Sequence, residues 1–167
     1  MSLLVRAAEA GDAAPIAAIH NEGVADRVAT FRAEPRTVAD VDAAIASGRP
    51  LLVAERDGMV VGWAGLGPYD DANDWYAGIG EATVYVARTA RGSGVARALL
   101  GALEAAAAAD GRHKLIAKIF DTNEPSLRLF ERAGYARVGI HRRHGRLDGE
   151  WKDVVVLEKL LVSDEPL

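Results

Sequence analysis

A mixed α/β fold is predicted, one sheet with helices packed on it, and three observations predict it. Short β-patterned runs recur along the chain, helical stretches with apolar residues three and four apart separate them, and the order reads β-α-α-β-β-β-α-β-α-β-β. The 167 residues match one domain by the usual prior of roughly 100–200 residues. No internal repeat or low-complexity linker divides them. A single domain over residues 1–162 is expected, with a short tail at 163–167.

Leu3-Leu4-Val5 opens the chain as a strand. Gly11-Asp12 then starts a helix in which Ile16, Ile19 and Val24 recur at helical spacing, and Thr37 caps a second helix through Ile45. Leu51 to Glu55 and Met59 to Ala64 read as strands around Asp57-Gly58, a strong hairpin signal. A loop rich in Asp, Asn and Gly follows from Gly67 to Gly80, and Glu81 to Val86 is the next strand. Gly94 to Asp110 is a helix burying Val95, Leu99, Leu100, Leu103 and Ala107. Lys114 to Phe120 is a strand, and Glu124 to Ala133 a helix that Gly134 ends in a left-handed conformation. Two strands, Ala136 to Ile140 and Asp153 to Leu160, flank a basic segment ending at the Asp148-Gly149 turn.

Composition removes several classes of function. A net charge of -4 argues against a nucleic-acid partner, because that affinity rests on clustered Lys and Arg. The chain has no cysteine, hence no disulfide, thiolate metal site or cysteine nucleophile. His141 and His144 stand three apart, but without an acidic partner nearby no metal is expected. No secretory signal pattern precedes the first strand, and no apolar run approaches the roughly 18 residues of a membrane span. The expected location is the cytoplasm.

Chemistry concentrates at Arg91-Gly92-Ser93-Gly94-Val95-Ala96, between a strand and an Ala/Leu-rich helix. Glycines there admit close backbone approach, free amides at a helix start bind phosphate oxygens, and Arg91 adds a charged donor. A pyrophosphate is the expected guest. The P-loop pattern lacks its Gly-Lys-Ser/Thr ending, and the dinucleotide fingerprint fails at Arg97, where Gly or Ala is needed. Glu81 also stands out, since a carboxylate heading an apolar strand is disfavoured and invites a reason. Period-two alternation puts Glu81, Thr83 and Tyr85 on one face and Ala82, Val84 and Val86 on the other.

Arg91-x-x-Gly94-x-Ala96 resembles the Arg/Gln-x-x-Gly-x-Gly/Ala signature of the GNAT superfamily of acyl-CoA N-acyltransferases, and Asn123, Ser126 and Gly134-Tyr135 match where that family would have them. Within it the chain looks similar to the phosphinothricin, methionine sulfoximine and arsinothricin acetyltransferases. Asn21-Glu22-Gly23, Ala29-Thr30-Phe31, the strand from Glu81 to Val86, and the segment from Arg142 to Val154 carry that likeness. The resemblance implies a GNAT fold, acetyl-CoA as co-substrate, a primary amine of a small molecule as acceptor, and a homodimer. It implies Glu81 as catalytic base, directly or through water, and an amide of the Val84, Tyr85, Val86 segment for the developing oxyanion. Arg91, Gly92, Ser93, Gly94, Val95 and Ala96, with Asn123 and Ser126, would then hold the cofactor.

Many members carry a tyrosine as general acid where this chain has Phe130, which leaves that role open, with Tyr85 as one alternative. Basic residues that help hold an anionic acceptor in the phosphinothricin-like enzymes are missing from Pro68 to Tyr76, which carries three aspartates instead. Arg142, Arg143, Arg146 or Arg27 would have to supply the clamp, or the acceptor is neutral or cationic. Phe31, Trp75, Thr83 and Arg142 are the candidate acceptor-binding residues. Two other readings stand beside this one: a catalytically silent acetyl-CoA-binding module, which need not keep Glu81, and an enzyme for protein amino groups.

Overall fold

The computed structural model describes residues 2–70 and 72–161; the expected tail at 163–167 and Asp71 of the acidic loop lie outside them. Among the described residues, seven strands form one sheet in the order β1-β2-β3-β4-β5-β7-β6. They are β1 Leu3–Ala7, β2 Leu51–Arg56, β3 Met59–Pro68, β4 Ile79–Val86, β5 Lys114–Phe120, β6 Ala136–Leu147 and β7 Glu150–Leu160. Four helices, α1 Ala13–Asp26, α2 Val38–Ala46, α3 Val95–Ala109 and α4 Glu124–Arg132, complete the element order that the sequence predicts. Every neighbouring pair in the sheet is antiparallel except β4 and β5, which are parallel. Their connection carries α3 across one face.

Strand alternation divides the core into two layers. Leu52, Ala54, Ala64, Leu66 and Ala82 meet Leu99, Leu100 and Leu103 of α3, while Val53 and Trp63 meet Ile16, Ile19 and Val41 of α1 and α2. The α3 stripe is the one expected from helical spacing, Val95, Leu99, Leu100, Leu103 and Ala107 all being buried. Thr37 starts α2 in a capping box: its hydroxyl accepts from Asp40 N at 3.1 Å, and Asp40 Oδ2 accepts from Thr37 N at 2.9 Å. Gly23, inside α1, has a steric reason. A Cβ there would lie 2.6 Å from the Tyr85 ring, so glycine lets α1 settle against β4.

Four strand boundaries differ most from expectation. The loop predicted from Gly67 to Gly80 is shorter, because β3 runs to Pro68, β4 begins at Ile79, and a 3-10 turn at Asp74–Tyr76 fills part of what remains. The basic segment after Ile140 is strand: β6 continues to Leu147, opposite β7 from Glu150. A bulge between His141 and Gly145 absorbs the misfit. There Arg143 takes φ 47 and donates its backbone N–H to Asp153 Oδ1 at 2.8 Å.

His20 of α1 is buried between Trp63 and Tyr85, with ring centroids 5.9 and 4.9 Å away. Neither ring nitrogen has a protein partner. Burial, followed by the charges of Arg36 and Arg32, pushes its pKa down to about 4. An unfolded chain therefore binds a proton that the fold refuses, and stability that is full above the ordinary histidine value is lost as pH falls through it towards 4. Between pH 7 and 4.5 the unfolding free energy of the wild type should fall by about 2 kcal/mol more than that of His20→Leu, measured by urea titration; parallel curves would refute the assignment.

Candidate active site

The site begins where a ladder stops. β4 and β5 pair only over Ile79↔Lys114, Gly80↔Leu115 and Glu81↔Ile116, yet β4 continues to Val86 and β5 to Phe120. Beyond Glu81 the two strands diverge, each held on its outer side, β4 by β3 and β5 by β7. The result is a wedge with Glu81 at its apex.

Backbone direction decides what the wedge offers. Ala87 donates its N–H to Val61 of β3 at 2.9 Å, and the β3–β4 register is unbroken from Gly62↔Val86 to Pro68↔Gly80. By alternation the amides of Glu81, Thr83 and Tyr85 face β3, and those of Ala82, Val84 and Val86 face the wedge. Val84 and Val86 thus present donors to an incoming extended group. Tyr85 does not, which corrects its grouping with them as a backbone contact. Its ring instead stacks on Trp63 at 5.1 Å, beside α1.

Glu81 keeps its side chain 30% exposed, with Lys118 Nζ 3.3 Å from Oε2. Lys118 stands two residues beyond Ile116, on the same face of β5. Thr83 is on the same face as Glu81 and lines a cavity of about 230 Å³ with Arg36 and Trp63.

At the broad end of the wedge is the turn into α3. Gly92 and Gly94 take φ 73 and 83, values that glycine alone adopts without cost, and a Cβ at either would meet nothing within 4 Å. Gly94 is the N-cap of α3 and supplies no side-chain acceptor, so the first amides of the helix, Val95 and Ala96 among them, point outward unpaired. Ser93 spends its hydroxyl proton on Ala90 O. Arg56 Nη2 reaches Ser93 Oγ at 3.4 Å, bringing a second cation to the turn that nothing in the sequence placed there. Arg91 lies against Asp26, Nη2 to Oδ2 3.1 Å, and Arg88 joins the same carboxylate. These contacts, Arg88's first, hold the Asp26 pKa below the ordinary carboxylate range.

Asn123 lies three residues beyond the end of β5 and is the N-cap of α4, its Oδ1 accepting from Ser126 N at 3.4 Å. Phe31 packs edge-on against Phe120 at the end of β5, with ring centroids 4.7 Å apart, and a Cβ at Gly145 would strike it at 2.7 Å. It therefore borders the wedge. Trp75 shares no ring contact with it; 75% exposed, it packs only edge-on with Tyr76. The proposed arginine clamps are largely engaged elsewhere: Arg27 on Asp148, Arg142 on Asp153 and Arg146 over Trp151. Phe130 is buried against Tyr135. His141 and His144 stack on each other along β6, and among the described residues no group of three His, Asp or Glu is arranged to hold a metal ion. No helix there is long and apolar enough to cross a membrane.

A parallel pair that splays after three residues, with a glycine turn and helix N-terminus at its open end, agrees with the comparison to known families, where the Acetyltransferase (GNAT) family is matched over residues 17–135. The chain belongs to the GNAT family. It is an acetyl-CoA-dependent N-acetyltransferase with acetyl-CoA as co-substrate. Phosphinothricin N-acetyltransferase of Streptomyces viridochromogenes is 35% identical, over 90% of this chain and 83% of the relative. The L-methionine sulfoximine/L-methionine sulfone acetyltransferase of Pseudomonas paraeruginosa is 33% identical, over 95% and 94%. A GNAT superfamily phosphinothricin acetyltransferase from Sinorhizobium meliloti, solved in complex with acetyl-CoA, superimposes with a TM-score of 0.89 at 28% identity, covering 96% of this chain and 89% of that one.

The residues of this acetyltransferase fit the co-substrate on physical grounds. Outward amides at α3 and two arginines suit a diphosphate, and the unpaired edge of β4 suits an extended amide-bearing arm. Gly94→Val would set a branched side chain in the open space over the turn and force φ 83 on it, for about 1–2 kcal/mol of stability. The variant should remain folded by circular dichroism yet give no heat of acetyl-CoA binding in titration calorimetry. Normal binding would remove the turn from the diphosphate site.

Proposed function

We propose that this enzyme acetylates the primary amine of an amino-acid-like compound of the phosphinothricin and methionine sulfoximine type, with Glu81 as general base. The observation that carries the proposal is the position of Glu81: its carboxylate heads the only part of β4 that leaves β5, beside the outward amides of Val84 and Val86. The names of the relatives support the acceptor class.

An amine is protonated at neutral pH, and only its free base attacks a thioester. Glu81 takes that proton, directly or through a water, with the Lys118 ammonium beside it to fix the carboxylate's direction. Acetyl-CoA supplies the activated acetyl group. The Val84 amide, held rigid by the β3 ladder behind it, faces the place where negative charge develops on the carbonyl oxygen. The turn from Arg91 to Ala96, with Arg56, anchors the diphosphate; Asn123 and Ser126 border the same opening from α4.

No general acid is required. Phe130 has no hydroxyl, and burial pushes Tyr85 up to about 12, which makes it a far weaker acid than a thiol, whose ordinary pKa is about 8.5. The thiolate leaves unassisted. Within the acidic loop one carboxylate has a structural role and keeps its charge. Asp70 spends its carboxylate locally, accepting from Ala72 N at 2.9 Å and Asn73 Nδ2 at 2.7 Å.

The resemblance also favours a homodimer. The outermost strand β6 leaves Val138 60% and Ile140 43% exposed, apolar surface of the kind a second copy covers; a monomer in sedimentation equilibrium would exclude it.

Glu81→Gln should lower turnover about 10²- to 10⁴-fold and leave acetyl-CoA affinity nearly intact. Unchanged turnover would take Glu81 out of the mechanism. In a thiol-release assay, phosphinothricin and methionine sulfoximine should be acetylated in preference to polyamines and aminoglycosides. Release with the cations alone would reverse the acceptor class, and silence with acetyl-CoA bound would favour a binding module.

A further inference from the structure

The cavity beside Thr83 contains two arginines and no carboxylate. Arg36 and Arg49 line it, together with Ser47, Trp63, Gly67 and Thr83. No Asp or Glu belongs to the lining, and among the described residues neither arginine forms a salt bridge. An anion in that cavity would meet two half-buried cations and no carboxylate in the lining.

Arg36 is also held in place. Its backbone N–H donates to Asn21 Oδ1 at 2.7 Å, and its carbonyl accepts from Asn21 Nδ2 at 3.0 Å, tying the residue to α1 from both sides. The guanidinium sits 5.7 Å over the Trp63 ring. Burial first, then the charge of Arg32, draws its pKa down, and Asp40 and Tyr85 offset only part of this. By contrast Arg27, Arg32 and Arg142 all carry carboxylates already.

Position relates the cavity to the chemistry. Thr83 is two residues beyond Glu81 on the same face of β4, and Gly67 is the cross-strand partner of Glu81. A group bound there would lie on the face of β4 that carries Glu81.

We propose that Arg36 and Arg49, with the Thr83 hydroxyl, form the subsite that binds the acceptor's carboxylate. The inference rests on the amino-acid reading of the acceptor given above and adds the residues that select for it. They take the place of the basic residues missing from the loop between Pro68 and Tyr76. Arg36, packed on Trp63 and fixed by Asn21, directs the acceptor; Arg49, which follows α2, adds charge.

Methionine sulfoximine and its methyl ester separate the possibilities, because the ester keeps the amine and side chain but loses the only anion. In the wild type kcat/KM should favour the acid. In Arg36→Gln the acid-to-ester ratio of kcat/KM should fall about 10- to 100-fold, with the loss in KM for the acid, and Arg36→Lys should recover part of it. Arg49→Gln should shift the ratio the same way by less. Because both substrates are measured on one sample, a partly unfolded variant leaves the ratio interpretable, and the wild-type preference needs no variant at all. An acid and ester used equally by the wild type, or a ratio unmoved by Arg36→Gln, would overturn the subsite while leaving the amino-acid reading in place. Wild-type silence with both forms would remove that reading, and the subsite with it.

Discussion

The end of the β4–β5 ladder at Glu81↔Ile116 is the constraint from which the rest of the site follows. A parallel pair needs a crossover, and here the crossover is α3. Its start must come near the C-terminal end of β4, because only eight residues separate Val86 from Val95. Helix amides and unpaired strand amides therefore reach the same opening from the same short stretch of chain. Had the two strands stayed paired to their ends, the Val84 and Val86 amides would be spent inside the sheet.

Unpaired backbone donors are tolerated only where water or a ligand reaches them. The wedge satisfies that condition because each strand is fully supported on its outer side, so the sheet need not close to be stable. Rigidity follows as well. Val84 lies opposite Ala64, and Val86 opposite Gly62, over the packed layer of Leu99 and Leu103, which fixes donor direction before any ligand arrives. Preorganisation of that kind stabilises developing charge without a reorganisation cost.

Much of this was legible from the amino-acid order, and the part that was not has a physical cause. The α3 stripe, the Thr37 cap and the Asp57-Gly58 turn are local: side-chain spacing or a single backbone conformation decides them, and Asp57 and Gly58 do take φ 51 and 78. β6 beyond Ile140 was unreadable because His-Arg-Arg-His is poor strand sequence, held in place by a bulge and by Asp153 across the hairpin. The roles of Lys118, Arg56 and Arg36 are not legible for another reason. Each meets its neighbour across the sheet or between layers, Lys118 with Glu81 being one such case, and the parallel register that brings those two together depends on α3 having crossed. In the aspartate-rich loop, composition shows the charges but not that Asp70 also closes its own turn.

The arginines occur in two arrangements, one compensated by a carboxylate and one without a salt bridge among the described residues. Around the glycine turn, Arg88 and Arg91 share Asp26, a carboxylate on the last turn of α1, so the cations are positioned but compensated. Those pairs are half-exposed on the arginine side, where solvent screens much of their attraction. Exchanging Asp26 for a diphosphate therefore forfeits little. The cavity beside Thr83 is the reverse arrangement, since Arg36 has an aromatic face and a backbone tether but, among the described residues, no salt-bridged carboxylate. A compensated cation yields to a ligand of high charge and is indifferent to weaker ones, whereas an uncompensated one discriminates between a single negative charge and none. The first suits a co-substrate whose polyphosphate is always charged, and the second suits an acceptor that must be told apart from other amines.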